Sequence, residues 1–466
     1  MSLPPDDPAQ RSNSPRSVEG TLPLAGTVRS GVPVGDPPQL LLAAPQAAPE
    51  SGWALQGRAV YSGGNEASLL RGGEALFPAM CQAIAAARHE VWLASYIFHG
   101  DAAAQTVVDA LVGAARRGLL VSVVVDGFGV DRTWPVVQTQ LVAGGVHVAL
   151  FRPLHRWWNW LQPGQLRRLH HKLCVVDAEV AFVGGINLID DRFDMNHGWS
   201  ELPRLDFAVR VSGPVASVVQ RTARAMWTRA TLGHAWREEV LALASSARPL
   251  ARAKRLLDRL RSSVPPSAAA DGDLRPVRAA FLVRDNLRQR RSIERSYVEA
   301  IRQARHSIDI VSAYFYPDRT IRRALREAVR RGVRVRLLLQ GRWDYRMAEL
   351  AAYALCDELL AHGVQIHEYT VAFLHAKVAV IDDDWATVGS SNIDPLSLLL
   401  NLEANVVVRD AAFATSLRNE IELALASSVP VTAESVGSGP RRLLRRGFIA
   451  WAARLYLRVA GAAGRY

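Results

Sequence analysis

Two short stretches of this 466-residue chain carry a histidine, a lysine, an aspartate and an asparagine at the same spacing. In each stretch the lysine follows the histidine by two residues, the aspartate by seven and the asparagine by seventeen. An imidazole can attack phosphorus or transfer a proton, while ammonium and amide groups donate hydrogen bonds to phosphate oxygens. The pattern therefore predicts phosphoryl-transfer chemistry by two sets of residues: His170, Lys172, Asp177 and Asn187, and His375, Lys377, Asp382 and Asn392.

Each set lies on a predicted pair of strands. The apolar run LCVV follows Lys172, and VAVI occupies the same place in the second set, which predicts a buried strand in each. Alternation along the strand turns the histidine and the lysine toward one face. A second strand returns beside the first and carries small residues that let the backbone come close to a ligand. We predict that Gly185, Ser390, Asn187 and Asn392 bind the phosphate of the substrate.

Lysine is rare in this chain. Of 56 basic residues only three are lysines, namely Lys172, Lys254 and Lys377, and two of these lie in the repeated pattern. These positions therefore favour a compact ammonium over a planar guanidinium group. The alternative, in which two buried lysine–aspartate pairs only support strands, explains the duplicated spacing poorly. Because the lysines supply positive charge, we predict neither a metal ion nor a cofactor.

The duplication extends beyond these two stretches. Residues 86–98, 114–127 and 143–151 are matched in the same order by 303–316, 328–341 and 361–369. Each copy alternates helical and strand patterns, with Gly118 and Gly332 at predicted helix C-termini. We expect two similar α/β domains, at residues 53–250 and 276–432, because three matched blocks in order indicate an internal repeat.

The remaining segments predict tails and a connection. Residues 1–52 are rich in Pro, Ser, Gly and Ala, which predicts a disordered N-terminal tail without a signal peptide. Residues 251–275 predict a basic helix and a linker. The segment 433–466 is basic and amphipathic, which is typical of a helix on anionic lipid, although docking on the protein's own core is the alternative. No stretch predicts a transmembrane span.

The duplicated pattern resembles the HKD motif of the phospholipase D superfamily over roughly residues 60–430. The resemblance implies an α/β fold with two tandem phospholipase D-like α/β sandwich domains, related by pseudo-twofold symmetry, and an active site at their interface. It also implies that His170 is the nucleophile, which forms a phosphohistidine, and that His375 is the acid and base. By the logic of catalytic triads, Asp206 and Glu403 are candidates to orient the two imidazoles, the alternative being strand-edge surface charges.

Residues 382–408, 283–286 and 312–317 resemble the bacterial cardiolipin synthase branch of that superfamily. The resemblance implies an enzyme that transfers a phosphatidyl group from one phospholipid to the hydroxyl of another. One alternative is a phospholipase D that hydrolyses phospholipids to phosphatidic acid, since the same intermediate can react with water. A second alternative is a nuclease acting on nucleic-acid phosphodiesters.

Composition favours an anionic partner, and one local pattern favours lipid. The chain has a net charge of +12 and a pI near 10.1, which fits acidic lipid or nucleic acid equally well. Trp157, Trp158 and Trp160 lie among arginines, a pattern typical of lipid headgroup contacts, although such loops also stack nucleic-acid bases. Only three cysteines occur, without zinc spacing, which fits a reducing compartment. We expect anionic phospholipid substrates, no nucleic acid, and peripheral association with the cytoplasmic face of the cell membrane.

Overall fold

The computed structural model describes residues 59–153, 168–195, 197–244, 277–285, 289, 291–341, 357–394 and 401–432. Four sequence-based predictions fall outside these ranges. They concern the N-terminal tail 1–52, the tryptophan-rich segment Trp157–Trp160, the basic helix and linker 251–275, and the C-terminal segment 433–466. Among the described helices, none combines the length and the apolar character needed to cross a bilayer.

The first half of the described chain alternates helices with strands and then adds antiparallel strands. The predicted order of helix and strand in the first copy is confirmed, and an additional strand precedes the first helix. The elements are β1 (Ser62–Arg71), α1 (Gly72–Ala86), β2 (Glu90–Ser95), α2 (Ala102–Arg116), β3 (Leu120–Asp126), α3 (Trp134–Ala143), β4 (His147–Phe151), β5 (Leu173–Val176), β6 (Val180–Gly184), β7 (Phe193–Asp194), β8 (Gly198–Trp199), β9 (Phe207–Ser212) and α4 (Pro214–Ala244).

The second half repeats this order. The hairpin β7–β8 of the first half has no counterpart among the described residues, the helix before β13 is described only at residues 357–360, and a short terminal strand is added. The elements are β10 (Val277–Arg284), α5 (Ser292–Gln303), β11 (Ser307–Ser312), α6 (Arg319–Arg330), β12 (Arg334–Gln340), β13 (Gln365–Tyr369), β14 (Lys377–Ile381), β15 (Trp385–Gly389), β16 (Glu403–Arg409), α7 (Ala411–Ala426) and β17 (Val429–Pro430).

The sheet order displays the pseudo-twofold symmetry. From the outer edge of the first half the strands run β4-β3-β2-β5-β6-β9-β1, and the second half continues as β10-β16-β15-β14-β11-β12-β13-β17. The parallel sets β2–β3–β4 and β11–β12–β13 lie toward the two edges, β17 lies beyond β13, and the other neighbouring strands pair antiparallel. The halves join through β1 and β10, with Ser62 opposite Ala279. The predicted two-domain α/β sandwich is thus confirmed.

The two half-sheets share one central apolar core. Val175 of β5 and Val380 of β14 belong to this core, together with residues of α4 and α7. Their strand neighbours turn to the opposite faces, where Cys174 packs beneath α1–α3 and Ile381 packs beneath α5 and α6. Both faces of these strands are therefore buried, which explains why they read as continuous apolar runs in the sequence.

Two glycines end the helices that lead into β3 and β12, as predicted. Gly118 has φ +86° and Gly332 has φ +87°, in the left-handed region that glycine adopts without strain. Backbone bonds from Leu119 to Ala114 and from Val333 to Ala328 close the last turn of each helix. Each glycine thus reverses the chain directly into a strand of the repeated unit.

Candidate active site

Two antiparallel strand pairs hold the predicted catalytic residues. β5 pairs with β6, and β14 pairs with β15, so both predicted hairpins are confirmed. His170 and Lys172 come directly before β5, while His375 and Lys377 occupy the same position at the start of β14. Every residue of β5 and β14 is buried. The rigid apolar strand therefore fixes the start of each histidine–lysine segment.

Each histidine is oriented by a carboxylate from the opposite half of the molecule. His170 Nδ1 lies 2.9 Å from Glu403 Oε2, and His375 Nδ1 lies 2.6 Å from Asp206 Oδ2. Both carboxylates are fully buried, whereas the histidine side chains remain 12% and 23% exposed. Because Nδ1–H is held by the carboxylate, Nε2 of each ring is left to carry out chemistry.

Backbone hydrogen bonds reinforce this exchange between halves. His170 N donates to Leu402 O at 3.0 Å, and His375 N donates to Leu205 O at 2.9 Å. Leu402 and Leu205 directly precede the orienting carboxylates in the sequence. Each histidine is therefore fixed by both main chain and side chain to the opposite half, so neither domain can form this site alone.

The two lysines lie in the same buried site. Lys172 Nζ donates to His170 O at 3.0 Å, and Lys377 Nζ donates to His375 O. Burial lowers the pKa of Lys172 to about 7 and that of Lys377 to about 8, although buried carboxylates oppose the shift. The negative charge of a bound phosphate would favour the protonated form of both lysines. Two ammonium groups would then contact the phosphate.

The two histidine–carboxylate pairs differ in their protonation. Burial opposes the ionisation of Glu403, but His170, Lys172 and Ser390 outweigh burial and lower its pKa. Burial raises the pKa of Asp206 to about 7. Burial also lowers the pKa of His170 and holds that of His375 well below its ordinary value. These directions favour the deprotonated form of the Glu403 pair and an additional proton on the Asp206 pair.

The four predicted phosphate-binding residues follow β6 and β15, one and three residues after each strand ends. Asn187 and Asn392 are 4% and 6% exposed, and their amide oxygens have no hydrogen-bond partner in the part of the chain that is described. A β-carbon at Gly185 would collide with Asp206 Oδ1, and Ser390 Oγ donates to Glu403 Oε2 at 2.5 Å. Gly185 and Ser390 thus support the orienting carboxylates, and their contact with phosphate stays a prediction.

The structure does not bring Asp177 and Asp382 to the histidines. Each lies at the turn after the motif strand, about five residues or roughly 16 Å of extended chain beyond the lysine. Asp177 accepts hydrogen bonds of 2.7–2.9 Å from the backbone N–H groups of residues 88–90, and Asp382 accepts bonds of 2.8–3.1 Å from those of 305–307. These donors outweigh burial and lower the pKa of both carboxyls. We therefore correct their predicted catalytic role to a structural one, which fixes the turn.

The sequence analysis missed Asp126 and Gln340, whose side chains bind the backbone N–H group of the residue before each histidine. Asp126 Oδ2 accepts from Leu169 N at 2.7 Å, and Gln340 Oε1 accepts from Leu374 N at 3.1 Å. Both residues end a parallel strand at the same place in the repeat, VVVDG and LLLQG, and that alignment was the available signal. Burial raises the pKa of Asp126 to about 6.

The surroundings of the two histidines are not identical. The ring of Tyr96 packs edge-on against His170 with 4.9 Å between centroids, and Lys172 Nζ lies 5.2 Å from the centre of the same ring. His171 is fully buried, and burial lowers its pKa to about 4. The corresponding positions of the second half are Ala313 and Ala376, so the repeat has diverged around the first histidine.

The described residues thus form one phosphoryl-transfer site that is shared by two halves of a duplicated α/β fold. No group of three or more His, Cys, Asp or Glu side chains within the described ranges is arranged to hold a metal ion. Lys172 and Lys377 are available to supply positive charge at the site. The site brings together both histidines, both lysines, and both orienting carboxylates that the sequence predicted.

Comparison with known proteins agrees with this class. The family model described as cardiolipin synthase, PLD-like domain matches residues 80–199 and 297–424, one segment in each half. Cardiolipin synthase B of Escherichia coli is 36% identical over 362 residues, which cover 77% of this chain and 80% of the relative. Cardiolipin synthase B of Salmonella typhimurium is 35% identical over 369 residues, with the same coverage of both chains. The chain belongs to the phospholipase D-like cardiolipin synthase family.

A solved structure supports the fold independently. Phosphatidylserine synthase of Haemophilus influenzae superposes with a TM-score of 0.58 and covers 84% of this chain and 93% of its own. The two proteins are 12% identical, so this likeness concerns the fold alone. The duplicated α/β architecture is therefore shared by proteins whose sequences have largely diverged.

Proposed function

We propose that this protein is a phosphatidyltransferase that makes cardiolipin or a related phospholipid. The observation that carries the proposal is the pair of crossed contacts, His170 with Glu403 and His375 with Asp206, which orient two imidazoles within one site. Membership of the cardiolipin synthase family supports lipid substrates over nucleic acid. The same family membership supports transfer of the phosphatidyl group to a second lipid over hydrolysis.

In the first step, His170 Nε2 attacks the phosphorus of the donor lipid. A P–N bond forms, the P–O bond to the headgroup alcohol breaks, and the phosphatidyl group remains on His170 as a phosphohistidine. The departing oxygen takes the proton that His375 shares with Asp206, which makes it a stable alcohol. Lys172 and Lys377 stabilise the charge that develops on the non-bridging oxygens.

In the second step, an acceptor hydroxyl replaces the headgroup. His375 Nε2 removes the proton of that hydroxyl, its oxygen attacks phosphorus, and the P–N bond to His170 breaks. His170 leaves as a neutral ring, and the proton returns to the His375–Asp206 pair, so the cycle closes without net change in the enzyme. Water in place of the lipid hydroxyl would yield phosphatidic acid.

The protonation of the two pairs supports this order of roles. A nucleophile must present a lone pair, and the lowered pKa values of His170 and Glu403 keep that pair deprotonated near neutral pH. A general acid must hold a proton, and Asp206, with its pKa raised to about 7, keeps one on the pair with His375. The opposite shifts of Glu403 and Asp206 thus agree with the roles that family resemblance implies for His170 and His375.

We also propose that the enzyme acts at the cytoplasmic face of the cell membrane as a peripheral protein. Phospholipid substrates require access to a membrane surface, and Cys81 and Cys174 are free thiols, which fits a reducing compartment. Protease treatment of inverted and right-side-out vesicles tests this location. Cleavage only in inverted vesicles is expected, and cleavage only in right-side-out vesicles would contradict it.

The decisive assay is incubation of the purified protein with phosphatidylglycerol vesicles, with the lipid products analysed by mass spectrometry. Cardiolipin is expected, and the His170→Ala variant should produce none. Phosphatidic acid as the only product would show a hydrolase. Degradation of single-stranded DNA without any lipid product would show a nuclease.

A further inference from the structure

Five large apolar side chains are exposed on segments that adjoin the two histidine segments in sequence or through contacts, and together we call them the apolar rim. Three of them, Met195, Trp199 and Leu202, lie on or beside the hairpin β7–β8, with exposures of 41%, 68% and 47%. The other two are Phe128 at 44%, after β3, and Val371 at 37%, after β13. Large apolar groups gathered at one place on a surface mark a binding surface.

The hairpin lies directly beside His375. Arg204, which follows the hairpin, donates from Nη2 to Phe193 O at 3.0 Å and so closes its base. The next residue, Leu205, accepts a hydrogen bond from His375 N at 2.9 Å. The ring of His197 lies 5.2 Å from that of Phe373, at a tilt of 40°, and Phe373 lies two residues before His375. The hairpin therefore borders the opening on the His375 side.

Phe128 borders the opening on the other side. Its ring stacks on Tyr96 with 6.4 Å between centroids, and Tyr96 in turn contacts the ring of His170. Arg168 lies two residues before His170. Its guanidinium carbon is 5.4 Å from the centre of the Phe128 ring. The rim thus has exposed apolar side chains beside both catalytic histidines.

We propose that the apolar rim is the surface that enters the lipid bilayer, so that the opening of the active site lies against the membrane. The proposal rests on the proposed function, because a lipid substrate must pass from the bilayer to His170 between the two sides of the rim. Indole rings settle at the level of lipid headgroups, which suits Trp199. The hairpin β7–β8, which carries this tryptophan, has no counterpart among the described residues of the second half.

The charges near the hairpin indicate how it binds. Arg192 and Arg204 are balanced by Asp191, Asp194 and Glu201, so the hairpin has no excess positive charge. Binding through the rim is therefore apolar, and salt should not weaken it. A basic segment elsewhere in the chain would lose affinity for anionic lipid as salt rises. Salt thus separates the two contributions.

The test is sedimentation of the full-length protein with pure phosphatidylcholine vesicles at about 0.5 M salt, where attraction between exposed charges is screened. We compare Trp199→Ala and Leu202→Asp with the control Val142→Asp. Val142 is 56% exposed and lies at the C-terminal end of α3, beside the start of β4 and hence at the edge of the sheet opposite the site. The rim variants should bind at least about tenfold more weakly, whereas the control should bind normally.

Turnover of a soluble phosphodiester checks that each variant is folded and keeps its site. Unchanged vesicle binding in both rim variants, with soluble turnover retained, would overturn the proposal. Loss of a dimer in size-exclusion chromatography with light scattering, without loss of vesicle binding, would show instead that the rim contacts a second copy. Vesicle binding needs no catalysis, so failure to make cardiolipin would leave this test valid.

Discussion

Replacing Ser390 by alanine should change the pH dependence of catalysis through one histidine only. Ser390 Oγ donates to Glu403 Oε2, the same oxygen that holds His170 Nδ1. The matching position in the first half is Gly185, which offers Asp206 no hydroxyl. The variant therefore removes a donor from the nucleophile's pair and leaves the pair that contains His375 unaltered.

The size of the effect follows from the energy of that hydrogen bond. A hydrogen bond to a charged group contributes about 1.5–3 kcal/mol, and one pKa unit corresponds to about 1.36 kcal/mol. The hydroxyl also bonds the protonated carboxyl, though more weakly, so the difference between the two forms is smaller than the whole. We expect the pKa of the Glu403–His170 pair to rise by about one unit in Ser390→Ala.

The direction of the shift is fixed by the chemistry. The pair must be deprotonated to attack phosphorus, so activity is lost as the pH falls through its pKa. Because the variant raises that pKa, the acid limb of the kcat/KM profile should move to higher pH by about one unit. The alkaline limb should stay in place, since it reports loss of the proton shared by Asp206 and His375.

The assay measures kcat/KM for a soluble p-nitrophenyl phosphodiester across the pH range. Ser391→Ala is the matched control, because that neighbouring serine is buried and its hydroxyl donates to Asn392 O at 3.2 Å rather than to the carboxylate. The control should keep both limbs of the wild-type profile. Movement of the alkaline limb in Ser390→Ala, with a fixed acid limb, would refute the assignment of roles.

Three further predictions follow from the lysines and the turn aspartates. Activity should survive EDTA because Lys172 and Lys377 supply the positive charge, and complete loss that a divalent ion restores would contradict this. Lys172→Arg should reduce kcat roughly 100-fold or more, since the guanidinium does not fit a pocket shaped for an ammonium; near-normal turnover would count against the assignment. Asp177→Asn should lower the free energy of unfolding by about 1–2 kcal/mol in denaturant titrations while the folded enzyme keeps its activity, and a fully stable but inactive variant would restore a catalytic role.

The local parts of the site could be predicted from the sequence. The apolar runs that became β5 and β14 are short, buried on both faces and preceded by the histidine–lysine pairs, so strand, hairpin and site could be derived together. Gly118 and Gly332 marked helix ends because left-handed backbone at such a position favours glycine. In each case the signal lies within a few residues of the feature.

Long-range relations could not be derived in this way. The sequence named Glu403 and Asp206 as orienting groups, but which histidine each one holds depends on how the two half-sheets face each other. The pairing of β1 with β10 joins the halves, but β1 reads SGGNEASLLR and has no apolar run that would predict a central strand. Asp177 was misassigned because spacing along the chain does not reveal that the strand carries it away from the histidine.

The central claim is that phosphoryl transfer passes through His170, with His375 as the acid and base. It is tested most directly by mixing His375→Ala with a p-nitrophenyl phosphodiester, quenching within the burst, and mapping the modified peptide by mass spectrometry. This donor needs little protonation to depart, and the variant lacks the base for the second step, so the intermediate should accumulate. The account predicts about one equivalent of p-nitrophenol and a phosphorylated His170 in His375→Ala, and neither in His170→Ala. A burst in His170→Ala with the adduct on His375 would contradict it.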